Sequence, residues 1–494
     1  MLSMYLPQWA LIYKERKTEI KCVKGIYYKY EVRYQYNKAK KRTDKITVRL
    51  LGKITEHEGF LASDKDTIRQ KAQQLPKVDI KTFGVYNLFS NLLEKEIASL
   101  KAAFKEDVAE KLLSFAMMRW AYQSPIKRVP NYHAHDFCSE HWSKDTISDK
   151  QVSEALKFIG ENREALVAWM KLQLQWDTDS SGKFVMMDST HVTSVSEYLG
   201  INAKGYNPDH DFDEQIRLMY LFSAGLRQPV YYRLINGNIT DVKSMSLCVK
   251  EMNITDVIFI ADKGFYSEEN IVQLTKNQLH YIIPVHRNNK LIDFSPLLKA
   301  NFKKELKTYF AYQKRIIWYY QYVRGDKNMV TFLDESLRAR EETDYLLRVK
   351  SHPEQNKEEA FYDKMHCFGT LTLVYDIDGN NTNPQQLYEA YKQRNEIEIM
   401  FDSYKNFLAA DKTYMQNRYV LEGWLMANFI AMLAYYKLFS RLKKANLLSK
   451  YAPKDIIELS KSIYQMKING RWHRSEITVK TKKLFKKINI DYLT

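Results

Sequence analysis

The stretch YKQRNEIEIMFDSYK opens at Tyr391 and places a phenol, a guanidinium, a carboxylate and an amine (Tyr391, Arg394, Glu398 and Lys405) at spacings of three, four and seven residues. At about 100° per residue, with Tyr391 at 0°, Arg394 falls at about 300°, Glu398 at about 340° and Lys405 at about 320°, so the four share roughly 60° of one helix face. One carboxylate flanked by two cations suits a metal-bound phosphate; it equally suits a solvated, salt-bridged helix. Two more carboxylates, Asp188 in KFVMMDST and Asp262 in DVIFIADKG, each close a short apolar run. Three acids carried by separate elements can hold two Mg²⁺ ions about 3.5–4 Å apart, an arrangement that serves in-line displacement at phosphorus. Mg²⁺ prefers such hard oxygen ligands, and without a cation the acids would repel one another. An aspartate at a strand end is by itself more often a cap or turn residue. The order of the set, strands before both aspartates and a capped helix before the glutamate, is the more specific observation.

Those acids need elements to position them. KFVMMDST and DVIFIADKG read as strands buried on both faces. Between them QIRLMYLFSAG and PVYYRLINGN predict two further strands, and Thr240 can cap a helix over DVKSMSLCVKEM. After Asp262, Ser267 caps EENIVQLTKN and HYIIPV follows as a strand. Three strands, a helix, a strand, a helix and a strand predict a mixed α/β sheet. Asn383, Pro384 and Gln386 supply an N-cap, an N1 proline and an N3 glutamine for the glutamate-bearing helix. Between these halves, AYQKRIIWYYQYV and DYLLRVK make residues 286–370 look like a β-rich insertion. Ahead of the core, IYYKYEVRYQY alternates with period two, the run NKAKKRTDK follows, and alternation resumes at Ile46, which predicts a β-hairpin with a cationic tip. Residues 85–175 carry helical periodicity.

The balance of 76 Lys and Arg against 59 Asp and Glu, a formal charge of +17 with pI about 9.2, favours a polyanionic partner. Four scattered cysteines argue against a disulfide framework or a four-thiolate zinc site, and fit a reducing cytoplasm. The N-terminal residues lack a signal-peptide pattern, and the uncharged run Gly423 to Tyr436 is too short to span a bilayer, so a buried helix is expected there and no membrane partner. HAHDFCSEH holds His133, His135, Cys138 and His141 within nine residues, too crowded for a tetrahedral zinc site, and reads as a polar loop. DIDGNNTN lacks the twelfth-position glutamate of a calcium loop and reads as a strand-to-helix turn.

The three acids and their helix resemble the DDE transposases of bacterial insertion sequences, in the branch named after insertion sequence four, marked by Tyr-x2-Arg-x3-Glu-x6-Lys. That signature is complete as Tyr391, Arg394, Glu398 and Lys405; VMMDSTHV at Asp188 and IADKGFYS at Asp262 match the family's other two stretches, and LRQPVYYRLINGNITDVKSM resembles its strand, Gly-Asn-x-x-Asp and helix. The resemblance runs from about 180 to 440 and includes long gaps between the acids, 74 and 136 residues. It implies an RNase H-like α/β core interrupted by a β-rich insertion. Asp188, Asp262 and Glu398 would be the catalytic acids and ligands of two Mg²⁺ ions, with Mn²⁺ able to substitute. Tyr391, Arg394 and Lys405 would contact DNA phosphates near the scissile bond, and Trp318 would stack on a base drawn from the duplex. The activity implied is binding of element ends in double-stranded DNA, phosphodiester cleavage and joining of 3′-hydroxyls to target DNA by a homodimer in a bacterial cytoplasm; an RNase H-like nuclease and a non-catalytic DNA-binding derivative are the alternatives. The expected organisation is 1–80 hairpin region, 81–178 helical end-binding region, 179–285 and 371–445 the two parts of the core, 286–370 the insertion and 446–494 a basic C-terminal region. YNPDHDFDEQ is more acidic than the loop common in such relatives.

Overall fold

The structure, a computed structural model, describes residues 6–38, 40–68, 78–144, 146–175, 183–204, 213–237, 239, 241–252, 257–377 and 383–490. It divides into two compact units, residues 1–79 with 466–473, and residues 80–465 with 474–494. In the smaller unit β1 (Thr18–Val23), β2 (Ile26–Asn37), β3 (Arg42–Thr55) and β4 (Gly59–Ala62) form an antiparallel meander. The expected hairpin is β2–β3, paired from Tyr27↔Ile54 out to Asn37↔Arg42. Only its inner half is covered: Ala10, Ile20 and Ile54 form a small core, whereas Tyr34 and Tyr36 on the outer half are 60% exposed.

The larger unit begins with helices, as the periodicity predicts: α1 (Gly84–Leu92), α2 (Glu94–Ala103), α3 (Glu106–Tyr122), α4 (Asp149–Glu161) and α5 (Arg163–Gln175). Ser148 starts α4 with a capping box, its hydroxyl accepting from the Gln151 amide while the Gln151 side chain accepts from the Ser148 amide.

The central sheet contains β5 (Lys183–Ser194), β6 (Glu214–Ser223), β7 (Gln228–Asn236), β8 (Val257–Ala261) and β9 (His280–Pro284), with α6 (Asp241–Met252) and α7 (Glu268–Lys276) as the crossovers between β7, β8 and β9. Their spatial order is β7-β6-β5-β8-β9; β5, β8 and β9 run parallel, β6 pairs antiparallel with β5, and β7 pairs antiparallel with β6. This is the mixed α/β sheet expected from the strand pattern. The residues of β8 are all buried, as a strand covered on both faces requires. Ser267 caps α7 by accepting from the Asn270 amide; Thr240, the cap expected for α6, lies outside the described residues.

The segment between the core halves does not stand apart. β10 (Tyr309–Tyr312), β11 (Arg315–Arg324), β12 (Lys327–Asp334) and β13 (Thr370–Asp376) continue the same sheet antiparallel beyond β9, through β13. DYLLRVK, which alternates like a strand, instead belongs to the seventeen-residue helix α8 (Glu335–Ser351). Asp334 caps that helix by accepting from the Leu337 amide at 3.1 Å, and the i,i+4 pairs Arg338–Glu342 and Arg348–Asp344 brace its surface. Those pairs have helical spacing, which overrides the short alternation.

After β13 come α9 (Pro384–Lys392), α10 (Asn395–Asp402), a π turn over Ser403–Phe407 and the long helix α11 (Arg418–Lys444). Asn383 caps α9, accepting from the Gln385 amide at 2.9 Å. The uncharged run from Gly423 is the buried centre of α11. A Cβ at Gly423 would meet the Leu156 carbonyl at 2.1 Å, and one at Gly160 the Tyr419 carbonyl at 2.0 Å. Glycine at both positions therefore lets the α4 and α11 backbones touch. No described helix is long and apolar enough to cross a membrane. The chain closes with α12 (Pro453–Lys461) and α13 (Val479–Lys487).

Candidate active site

Asp262 follows the last residue of β8, as expected, but Asp188 lies within the twelve-residue β5 rather than at its end. The register explains how the two still meet. Ala261 pairs with Met187 as the last parallel pair, so Asp188 and Asp262 are the next residues on neighbouring strands, at the carboxyl edge of the parallel segment. β5 continues because its far half stays paired to β6 and to the two-residue strand Lys412–Thr413. Carboxyl edges of this kind are where α/β sheets gather their functional groups.

Glu398 is brought to that edge by α10. The inward face of α10 carries Ile397, Met400 and Phe401. Tyr220, directly opposite Asp188 on β6, packs its buried ring against Phe401 and Tyr404 at centroid distances of 6.0 and 5.9 Å. The residue that pairs with one acid therefore also seats the helix that carries another.

The helix signature is not one straight helix. Arg394 N bonds to Tyr391 O and Ile397 N to Arg394 O, both at 3.0 Å, in three-residue links that tighten the chain between α9 and α10. Further on, Leu408 N reaches five residues back to Ser403 O. A uniform step of about 100° per residue consequently fails across the signature. The tight turn keeps Tyr391, Arg394 and Glu398 together, and Lys405 falls in the π turn, half-buried.

The three acids converge on one cation. Arg394 Nη1 lies 3.3 Å from Asp188 Oδ2, Nη2 lies 3.8 Å from Asp262 Oδ1, and Nη2 also donates to Glu398 Oε1. Side-chain exposure runs from 16% at Arg394 through 20% at Asp188 and 34% at Asp262 to 49% at Glu398, so the guanidinium lies deepest and Glu398 outermost. Burial opposes the Arg394 charge, but Asp262, Tyr391, Asp188 and Glu398 override it and hold the guanidinium above its ordinary pKa. Burial likewise pushes the Tyr391 phenol up; Arg394 pulls it down, and Asp262 and Glu398 raise it further. Among the described residues, no group of three or more His, Cys, Asp or Glu side chains is placed to hold a metal ion directly. The donor set nevertheless fits a hard divalent cation, because three oxygen-only, negatively charged ligands already share one positive group.

A cavity of about 550 Å³ adjoins this centre, lined among others by Lys263, His286, Arg287, Asn288, Glu341 and Tyr391. Its Arg287 wall is fixed by paired bonds to Glu341 at 2.9 and 3.1 Å and a bond to the Thr370 carbonyl. Trp318 lies on β11, four strand spacings from β8 or about 19 Å at 4.8 Å each. It packs against Tyr309 at 5.0 Å and donates Nε1 to Glu335 at 3.2 Å.

Two positioning residues escaped the sequence reading. Arg119 and Gln123, on and just after α3, donate to the Leu408 and Phe407 carbonyls, groups left over where the π turn ends. Arg119 is buried, also donates to Asn428 Oδ1 at 2.9 Å, and burial pulls its pKa down to about 10. The available signal was a lone arginine in the apolar run LLSFAMMRWAY. The acidic stretch YNPDHDFDEQ, the turn DIDGNNTN and Asn238 of the Gly-Asn-x-x-Asp motif fall wholly or partly outside the described residues.

Fold and site together define a mixed α/β core with three acids gathered at the carboxyl edge of its parallel strands. Residues 179–434, just over half of the 494, match the family model described as Transposase DDE domain, and the chain belongs to that family. No curated protein matches. Among solved structures, the chain is similar to a piggyBac transposase synaptic complex with hairpin DNA, at 11% identity over 76% of each chain with a TM-score of 0.41.

Proposed function

We propose that this DDE transposase is of the bacterial insertion-sequence-four type, binding the ends of its element, cleaving phosphodiester bonds and joining 3′-hydroxyls to target DNA as a homodimer on DNA. The observation that carries the reading is the convergence of Asp188, Asp262 and Glu398, from three separate elements, on one guanidinium at the sheet edge. In this reading the three acids hold two Mg²⁺ ions, or Mn²⁺ in their place, which when bound supply an activated hydroxyl and stabilise a leaving oxygen. Arg394 and Lys405 provide positive charge beside the scissile phosphate, and Tyr391 a neutral donor. The adjoining cavity has room for a nucleotide flanking that phosphate, with Lys263 at its rim. Trp318, half-buried on β11 beside Tyr309 and Glu335, takes the base-stacking role in this reading.

The test uses labelled DNA from the flanks of the gene, Mg²⁺ or Mn²⁺, and wild type beside Glu398→Gln, which keeps size and removes one ligand charge. Metal-dependent cuts at repeat termini are expected, abolished in the variant while DNA binding survives. Equal cutting by both proteins would remove Glu398 from the chemistry. Specific binding without cutting by either would favour a non-catalytic DNA-binding protein.

A further inference from the structure

We infer that Arg394 competes with the divalent cation for the three acids, so that metal loading requires its guanidinium to leave them. The inference rests on the proposed metal role of the acids. The guanidinium is in contact with all three carboxylates at once, from beneath them, and the tight backbone links at Tyr391–Arg394 and Arg394–Ile397 fix the base of its side chain. The atoms that the guanidinium engages, Asp188 Oδ2, Asp262 Oδ1 and Glu398 Oε1, are oxygens a metal ion would need, and an N–H fork and a metal ion cannot occupy the space between them at once. Arg394 must therefore rotate away as a metal enters, and the anion best suited to receive a displaced fork of N–H donors is a phosphate. The same side chain would thus neutralise the acids before DNA arrives and hold the scissile phosphate afterwards. By linkage, whatever draws the guanidinium off the acids raises metal affinity by the same factor as metal raises affinity for it.

The experiment measures binding of Mn²⁺ alone to the full-length protein without DNA, reading free Mn²⁺ by its EPR signal, alongside the thermal midpoint with and without Mn²⁺. Wild type is compared with Arg394→Gln, Arg394→Lys and Asp188→Asn. Competition predicts that Arg394→Gln binds Mn²⁺ more tightly than wild type, by a factor within roughly 5–150. It also predicts a lower metal-free midpoint for that variant, which Mn²⁺ restores by a larger increment than in wild type. Arg394→Lys, a cation without the fork, should fall between the two, and it keeps the test decisive if the glutamine variant folds poorly. Equal or weaker Mn²⁺ binding by Arg394→Gln, with binding abolished in Asp188→Asn, would overturn competition and leave the metal role of the acids standing. Undiminished binding by Asp188→Asn, or no binding by any of the proteins, would overturn the metal role and this inference with it.

Discussion

Asp136 shows what burial does to a single carboxyl in this chain. It caps a short 3-10 turn by accepting from the Cys138 amide at 2.9 Å, while its Oδ2 is buried with no hydrogen-bond partner among the described residues. Burial pushes the acid from its ordinary 3.8 up to about 7, against the smaller downward pulls of Cys138 and Lys81. The sign follows from linkage: with the folded pKa raised, the native state holds the proton more tightly than the unfolded chain between about 4 and 7. Its contribution to stability is therefore fully present below about 4 and declines as pH rises to about 7. Asp136→Asn keeps the cap acceptor and cannot ionise, so its stability relative to wild type should rise across that window. Urea unfolding of both proteins at several pH values checks this, and a constant difference would mean the wild-type carboxyl is not held neutral. The contrast with Arg394 is instructive. Both groups are taken from water, but Arg394 has three carboxylates around it and stays charged.

At the scale of elements, the acids owe their positions to helix packing that tolerates little change. Gly423 and Gly160 let α4 and α11 cross with backbones in contact, and Phe429 of α11 packs on Tyr220, 6.1 Å between ring centroids. Gly423→Ala places a methyl against the Leu156 carbonyl, where neither backbone can yield cheaply. A loss of about 1–3 kcal/mol is expected, and an unchanged urea midpoint would show that the crossing relaxes. Much of this layer was legible in the sequence. Apolar runs ending on Asp188 and Asp262, the Ser267 and Asn383 caps and the uncharged run of α11 each carry a local signal. What stayed hidden depends on distant partners. Nothing local states that Met187 pairs with Ala261, that β13 joins β9, or that Arg119 donates to a carbonyl 289 residues away. The breaks around Arg394 and in the π turn carry neither glycine nor proline, so a straight helix was the reasonable reading.

Across the molecule, a formal charge of +17 favours a polyanionic partner but does not say which surface would meet it. Salt pairing helps to distinguish regions. On α13, Lys480, Lys482, Lys483, Lys486 and Lys487 are exposed and none has an acidic partner among the described residues, while Leu484 and Phe485 hold the helix down. Lys482, Lys483 and Lys486 also border a cavity of about 720 Å³ together with Arg474. At the hairpin tip Lys38, Lys40 and Lys41 are likewise exposed, whereas Arg42 is paired with Asp44 at 3.0 Å. Each lysine that neutralises a DNA phosphate contributes about −0.9 to the slope of log affinity against log salt. Replacing Lys482, Lys483 and Lys486 together by glutamine should flatten that slope by about 2–3 if α13 lies on the DNA backbone. The loss should be the same for every duplex tested, because phosphate contacts carry no sequence information. The matching triple change at Lys38, Lys40 and Lys41 measures the hairpin tip on the same scale. An unchanged slope for the α13 variant would mean that its lysines face only water, and would place the phosphate-binding charge on other parts of the chain.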